Sequence, residues 1–285
     1  MSSTSSLFAQ HSREWRENLF VYPVVSRRAR GLSIGINLSP DKSCTFRCVY
    51  CSVDRRLPGR ARALDPERLA SELDDLLRIA VSGELFQEPP FSATPEQLRR
   101  IRDIAFSGDG EPTASPHFAA ALGIAVEALE RRRLSETKLV LITNATLLHD
   151  PQVAAALSLV DRRGEIWAKL DAGTEEHFRR IDRSRVPFER VLENLLLTGR
   201  AHPLVMQSMF VRLGGVPPSG EEIEAYLGRL RDLQAGGCRV KCVQVYTSAR
   251  ATAEPGVSPL SLPELEAIAL RLRGLGLDAE TFGPA

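Results

Sequence analysis

Three of the five cysteines in this 285-residue chain fall in the stretch Cys44-Thr45-Phe46-Arg47-Cys48-Val49-Tyr50-Cys51, spaced C-x3-C-x2-C. Thiolates are soft ligands that select zinc, copper(I) or iron–sulfur clusters. A closed structural zinc site takes four ligands, and this loop supplies three. His11 lies far upstream, and Cys238 and Cys242 lie near the C-terminal end. Three thiolates on one tight loop suit a cubane cluster with three irons held by protein and one left open. An open iron can coordinate a substrate or cofactor, so the spacing points to chemistry. The alternatives are a zinc knuckle that borrows a distant fourth ligand, or buried, unconnected cysteines.

The rest of the composition agrees with a reducing compartment. Hydrophobic residues make up 43% and charged residues 26%, and the net charge is +1. These are the proportions of an ordinary globular protein, without a global attraction for nucleic acid or a membrane surface. No apolar run approaches the ~20 residues needed to span a bilayer, and Met1–Leu7 lacks the apolar core of a signal peptide. A cytoplasmic protein with free thiols is expected, without a membrane partner and without a disulfide framework.

In chain order, residues 1–30 are expected to form an N-terminal extension, frayed at Ser2–Ser6 and packed through Trp15, Phe20, Tyr22 and Pro23. Arg27-Arg28-Ala29-Arg30 is a short basic run, either a solvated turn or a contact for an anionic substrate. Strands are expected at 32–38, 103–107, 138–144, 165–171, 204–211 and 239–246, with a short closing strand at 278–282. The cysteine loop follows the first strand directly. Helices are expected from Asp65-Pro66-Glu67 to Gly83, and over 116–132, 188–200, 220–235 and 263–274, with a short helix from Asp150-Pro151 and a further start at Thr94-Pro95-Glu96. Asp before Pro is a helix N-cap followed by a proline in the first turn. Strands alternating with helices imply βα units and a parallel sheet. Six units are too few for a closed eight-fold barrel. The expected fold is therefore α/β, a partial (β/α)6 TIM-like open barrel with parallel strands, in one domain spanning 31–285.

In parallel α/β folds the chemistry sits at the C-terminal ends of strands. After the second strand comes Ser107-Gly108-Asp109-Gly110-Glu111-Pro112, where glycines permit close backbone approach to a ligand and carboxylates can take an ammonium. The third strand ends in Thr143-Asn144, a ligand contact or a turn. Lys169 and Asp171 share a face of the fourth strand, as an ion pair or as ligand groups. Gln207 interrupts the apolar fifth strand, and Gln244 and Tyr246 stand on the sixth. Cys238 and Cys242 read as buried structural cysteines.

The cysteine spacing, with an aromatic before the last cysteine, resembles the signature of the radical S-adenosylmethionine (radical SAM) superfamily. The resemblance implies that Cys44, Cys48 and Cys51 hold a 4Fe–4S cluster and that SAM chelates the fourth iron. Reductive cleavage of SAM then gives a 5′-deoxyadenosyl radical that abstracts hydrogen from a substrate. It further implies Tyr50 near the adenine and the variant motif Gly108-Asp109-Gly110-Glu111 at the SAM amino group. Thr143 and Asn144 would face SAM or substrate, Lys169 the SAM carboxylate and Gln207 the ribose. Gly31–Arg56, Ser107–Thr113 and Lys169–Thr174 look closest to the subgroup related to tRNA wybutosine-synthesis enzymes. Those enzymes carry further cluster ligands and a flavodoxin-like part not found in these residues, so the tRNA reaction is not implied. A flavodoxin- or ferredoxin-type reductant is expected as partner. The wide entrance of an open barrel admits a macromolecule, RNA or protein. A glycyl-radical-enzyme activase and a non-enzymatic iron–sulfur electron carrier are the alternative functions.

Overall fold

The structure, a computed structural model, describes residues 13–161 and 163–284. Ser2–Ser6 and His11 lie outside the described residues. Ten strands and seven helices follow one another in the described chain. They are β1 (Val21–Ser26), β2 (Gly31–Ile36), α1 (Pro66–Ser82), β3 (Ile101–Phe106), α2 (Phe118–Arg131), β4 (Lys138–Thr143) and α3 (Pro151–Asp161). Then come β5 (Gly164–Lys169), α4 (Glu175–Ile181), α5 (Phe188–Ala201), β6 (Leu204–Met209), β7 (Val211–Leu213) and α6 (Gly220–Ala235). The chain closes with β8 (Val240–Tyr246), β9 (Val257–Pro259), α7 (Leu262–Gly274) and β10 (Ala279–Phe282).

The main sheet has eight strands in the order β1-β2-β3-β4-β5-β6-β8-β10. From β2 to β10 every pairing is parallel, with a helix in each crossover. The fold expected from the sequence is present, an open barrel of six βα units closed off by β10. The near-continuous apolar strands follow from burial on both faces. In β4, Leu139 and Leu141 belong to the layer between sheet and helices, while Val140 faces inward with Ala105, Trp167 and Val205. The start and stop of α1 are those of its sequence. Asp65 accepts from the amides of Glu67 and Arg68, and Gly83 ends the helix at φ +83°, a conformation open to glycine.

Four features differ from the sequence expectation. Residues 21–26, within the stretch read as an extension, form the antiparallel edge strand β1. Its Pro23 is tolerated because an edge strand leaves one row of amides unpaired. Helix α4 has only seven residues, too short for a periodic apolar face, and is fixed by the Thr174 cap. The expected start at Thr94-Pro95-Glu96 yields only a 3-10 turn at Glu96–Leu98. The fifth strand breaks after Met209, and Val211–Leu213 leaves to pair with β9 in a separate ribbon.

The two edge strands of the main sheet, β1 and β10, do not pair with each other. Side chains bridge them. Arg27, in the β1–β2 turn, donates to the carbonyl of Gly283, and Arg30 pairs with Glu280 at 3.2 Å. The curled sheet therefore does not close on itself, and these side chains span the lateral slot between β1 and β10. No helix among the described residues is long and apolar enough to cross a membrane.

Candidate active site

The C-terminal strand ends converge on one cavity of about 290 Å³. Its wall contains Cys44, Cys48 and Cys51, and also Tyr50, Gly108, Asp109, Gly110, Glu111, Thr143, Asn144, Lys169 and Gln207. Cys44 and Gln207, 163 positions apart in sequence, thus face the same space. Cys238 and Cys242 are elsewhere. Cys238 is buried with its sulfur 3.7 Å from the Leu195 carbonyl, and Cys242 lies half-buried on β8.

The cysteine loop is pinned from three sides. The amides of Arg47 and Val49 donate to the carbonyls of Asp182 and Ile181, both at 2.9 Å, just after α4. Thr45 Oγ1 lies 2.8 Å from both Thr146 Oγ1 and Asn144 Nδ2, in the β4 loop. Ala253 N donates to the Cys51 carbonyl at 3.0 Å. Phe46 anchors the loop in the core, edge-on to Phe178 at 5.4 Å. A loop without regular structure is thus held by long-range partners.

In Gly108-Asp109-Gly110-Glu111 the glycines admit close packing and the carboxylates have protein partners. A Cβ on Gly110 would lie 1.8 Å from the Ser43 carbonyl oxygen, and one on Gly108 would lie 2.5 Å from Asn37 Oδ1. The glycines let this turn pack directly under the cysteine loop. Both carboxylates are already engaged. Glu111 Oε1 accepts from Thr113 N, Thr113 Oγ1 and Thr143 Oγ1, and Oε2 accepts from Asn144 N at 2.7 Å. Burial pushes the Glu111 carboxyl above the ordinary range, against the pull of these bonds. Asp109 accepts from Arg13 at 2.9 Å and Asn37 at 2.8 Å. Among the described residues, the backbone carbonyls of Gly108 and Gly110 carry no hydrogen bond, whereas Asp109 O accepts from Arg55. Thr143 and Asn144 likewise spend their side chains on the protein, on Glu111, Thr45 and the Cys44 sulfur.

Tyr50 and Lys169 belong to a buried polar cluster behind Cys48. Lys169 Nζ lies 3.0 Å from Tyr50 Oη and 3.8 Å from Asp171 Oδ2, and the Tyr50 hydroxyl donates to Asp171. The Cys48 thiol donates to Asp182 at 3.4 Å. Burial, then the adjacent Asp171, pushes the Asp182 carboxyl far up. Burial pulls the Lys169 ammonium down, but Tyr246, Cys48, Asp171 and Asp182 outweigh it and hold it well above the ordinary lysine range. Its side chain keeps 20% exposure, toward the cavity. Gln207 is fully buried. Its amide donates to Gln244 at 2.8 Å, while its carbonyl oxygen has no hydrogen-bond partner among the described residues.

Asp182 and Arg13 stand beside the cysteines and the cavity without having been singled out from the sequence, and Asn37 and Arg55, within the segment Gly31–Arg56, had no role expected of them. Only the carboxylate-rich surroundings of a strand end, as at Asp171, could have hinted at them.

The donor set fits an iron–sulfur cluster. The three sulfurs are free thiols facing one cavity. N–H donors approach two of them, Asn144 Nδ2 at 3.8 Å from Cys44 and Arg55 Nη2 at 3.9 Å from Cys51. Hydrogen bonds to sulfur are a recurring means of tuning such clusters. Among the described residues no three His, Cys, Asp or Glu side chains converge on a point that one metal ion could share. A cubane does not require that, because each thiolate binds a different iron.

Comparison with known proteins agrees with this geometry. Residues 39–230 match the Radical SAM superfamily. A UPF0026 protein of Synechocystis sp. is 33% identical over 181 residues, 63% of this chain and 57% of its own length. A protein of Brachyspira hyodysenteriae named GTPase Obg is 23% identical over 249 residues, 86% of this chain and 32% of its own length. The chain thus spans between a third and little more than half of these two relatives. In fold it is similar to a radical SAM methyltransferase from Sphaerobacter thermophilus, with a TM-score of 0.60, 13% identity, and coverage of 92% of this chain and 68% of that one. It is also similar to archaeal TYW1, with a TM-score of 0.51, 11% identity, and coverage of 95% and 80%.

Proposed function

The chain belongs to the radical SAM superfamily, and on that premise we propose that it abstracts hydrogen from a substrate held in the strand-end cavity, with Cys44, Cys48 and Cys51 as cluster ligands. Members of that superfamily are enzymes that use a 4Fe–4S cluster and SAM. When bound, the two supply an electron and a 5′-deoxyadenosyl radical. The observation that carries the reading is the convergence of the three thiols with the ends of β3 to β6 on one cavity.

The chain's own residues would act as follows. With Glu111 and Asp109 already engaged, the SAM amino group is left the carbonyls of Gly108 and Gly110. Glu111 is then a positioning residue that ties the β3 turn to Thr143 and Asn144. Lys169 reaches into the cavity beside Cys48 and can meet the SAM carboxylate. The unpartnered carbonyl of Gln207 can accept from a ribose hydroxyl. Tyr50 sits beneath Lys169 as its support, 4.8 Å from ring centroid to ammonium, at the wall where adenine is expected. The inward layer of Ala105, Val140 and Trp167 excludes water, which protects a reactive radical. The sequence segments around the cysteines and strand ends resemble the subgroup related to wybutosine synthesis, whose tRNA reaction is not part of this proposal. Its electron donor would be a flavodoxin- or ferredoxin-type protein, and a macromolecular substrate, RNA or protein, is compatible with the lateral slot.

The test is anaerobic reconstitution with iron and sulfide, then SAM and dithionite, with 5′-deoxyadenosine measured by mass spectrometry. Wild-type protein is expected to form it, and a Cys44→Ala, Cys48→Ala, Cys51→Ala variant is not. A fully loaded cluster that neither binds nor cleaves SAM would sink the proposal and leave an electron carrier.

A further inference from the structure

We infer that the substrate carries an oxyanion, a phosphate ester or a carboxylate, that Arg27, Arg28 and Arg250 bind where the lateral slot meets the cavity. This rests on the radical active-site reading above and names its substrate class. Arg27 and Arg28 come from the β1–β2 turn and Arg250 from the segment after β8, yet all three line the same cavity as the cysteines. Arg13, on the same wall, meets a carboxylate in Asp109. These three do not. Arg27 spends a donor on the Gly283 carbonyl. Among the described residues, Arg28 and Arg250 make no hydrogen bond and meet no carboxylate at ion-pair distance.

The arrangement holds like charges together in a partly desolvated wall. Burial first, then the charges of Arg13 and Arg28, pushes Arg250 down to about 10. Burial and Arg28 also lower Arg27. Arg28 cannot easily swing away, because its guanidinium lies over two rings, 5.5 Å from Trp167 and 5.1 Å from Tyr246. Cation–π contact holds it there without neutralising it. Asp103 lines the cavity and feels Arg28, but it is hydrogen-bonded to Ser33, and burial pushes its carboxyl up to about 6. A bound oxyanion would offset the repulsion, and guanidinium forks match its geometry. The rest of the molecule narrows the choice. The net charge is +1, and the slot is bridged by Arg27–Gly283 and Arg30–Glu280. This suits one discrete anionic group better than the extended backbone of a nucleic acid.

The test is equilibrium dialysis of labelled inorganic pyrophosphate, and in parallel labelled malonate, against cluster-loaded protein at fixed ionic strength, with and without saturating SAM. Saturable one-site binding is expected, retained with SAM, and weakened roughly tenfold or more in Arg28→Gln and in Arg250→Gln, each removing a charge-assisted bond. Preference for pyrophosphate or malonate assigns the phosphate ester or the carboxylate. Circular dichroism melting checks both variants. Arg250 lies in irregular structure, so its variant carries the test if Arg28→Gln does not fold. No saturable uptake of either anion, or equal uptake by wild type and a folded variant, overturns the inference. So does loss of uptake with SAM, which would assign the arginines to the SAM carboxylate. Binding of an oligoribonucleotide alone, with a steep salt dependence, overturns it in favour of RNA. Dialysis reads binding, so a protein that binds the anion but forms no 5′-deoxyadenosine fails only the radical reading.

Discussion

Glu111 has four protein donors on its two oxygens and 2% exposure. Removing it strands the Asn144 and Thr113 amides and two threonine hydroxyls without water. Glu111→Ala should therefore cost about 3 kcal/mol, the range for a broken buried network, and shift the denaturant midpoint accordingly. Asp103 has the opposite sign. Its carboxyl is pushed up to about 6 by burial, against the hydrogen bond from Ser33. The folded protein therefore holds this proton more tightly than the unfolded chain does. Stability from this group is gained as pH falls from above 6 towards 4, and it is a liability at neutral pH. The difference of about two pH units corresponds to roughly 3 kcal/mol at most. Asp103→Asn should raise the melting temperature at pH 7.5, and the advantage should shrink to little by pH 4. A pH-independent difference would count against the titration of Asp103 as its source.

Elements decide where the glycines matter. Gly110 lies in the turn after β3, with the Ser43 carbonyl in the space of its missing side chain. Gly110→Ala must move the cysteine loop, so it should lose most of the cluster's visible absorbance and iron content after reconstitution. Its far-ultraviolet circular dichroism should stay close to that of wild type, because no helix or strand is touched. Gly123, in the middle of α2, has nothing within 4 Å of where a Cβ would stand. Gly123→Ala should stabilise by about 0.5–1 kcal/mol, the usual gain in a helix interior, without affecting iron loading. The pair separates a packing glycine from a merely tolerated one by two independent measurements.

At the scale of the whole molecule, the open barrel leaves two edges joined by side chains. The Arg30–Glu280 pair is exposed on both sides, and such pairs contribute only about 0–1 kcal/mol. The central strands β4, β5 and β6 are paired on both sides and covered by helices, whereas β1 and β10 are paired on one side each. Native-state amide exchange should rank accordingly, slowest in β4 to β6 and fastest in β1 and β10. Uniform protection across the sheet would mean that the slot is closed by more than these side chains. An edge that opens at low free energy beside the three arginines would also give a substrate its way in.

The sequence by itself determined the local part of this protein. Alternating apolar strands and capped helices specify six βα units, because periodicity and caps act within a few residues. C-x3-C-x2-C marks a loop with three thiols close together in sequence, a candidate ligand set readable without any tertiary contact. Thr143-Asn144, Lys169 and Gln207 were legible as polar groups at strand ends, and Asp171 as a partner of Lys169, but the partners of Thr143, Asn144 and Gln207 were not. Only the tertiary structure decided that Glu111 and Asp109 face protein donors, that Asp182 stands behind Cys48, and that Arg27, Arg28 and Arg250 share one wall with, among the described residues, no carboxylate at ion-pair distance. It also decided that Val21–Ser26 joins the sheet. These depend on which distant segments meet and on how much water is left between them. Burial and charge pairing of that kind are properties of the assembled fold, and no window of neighbouring residues encodes them.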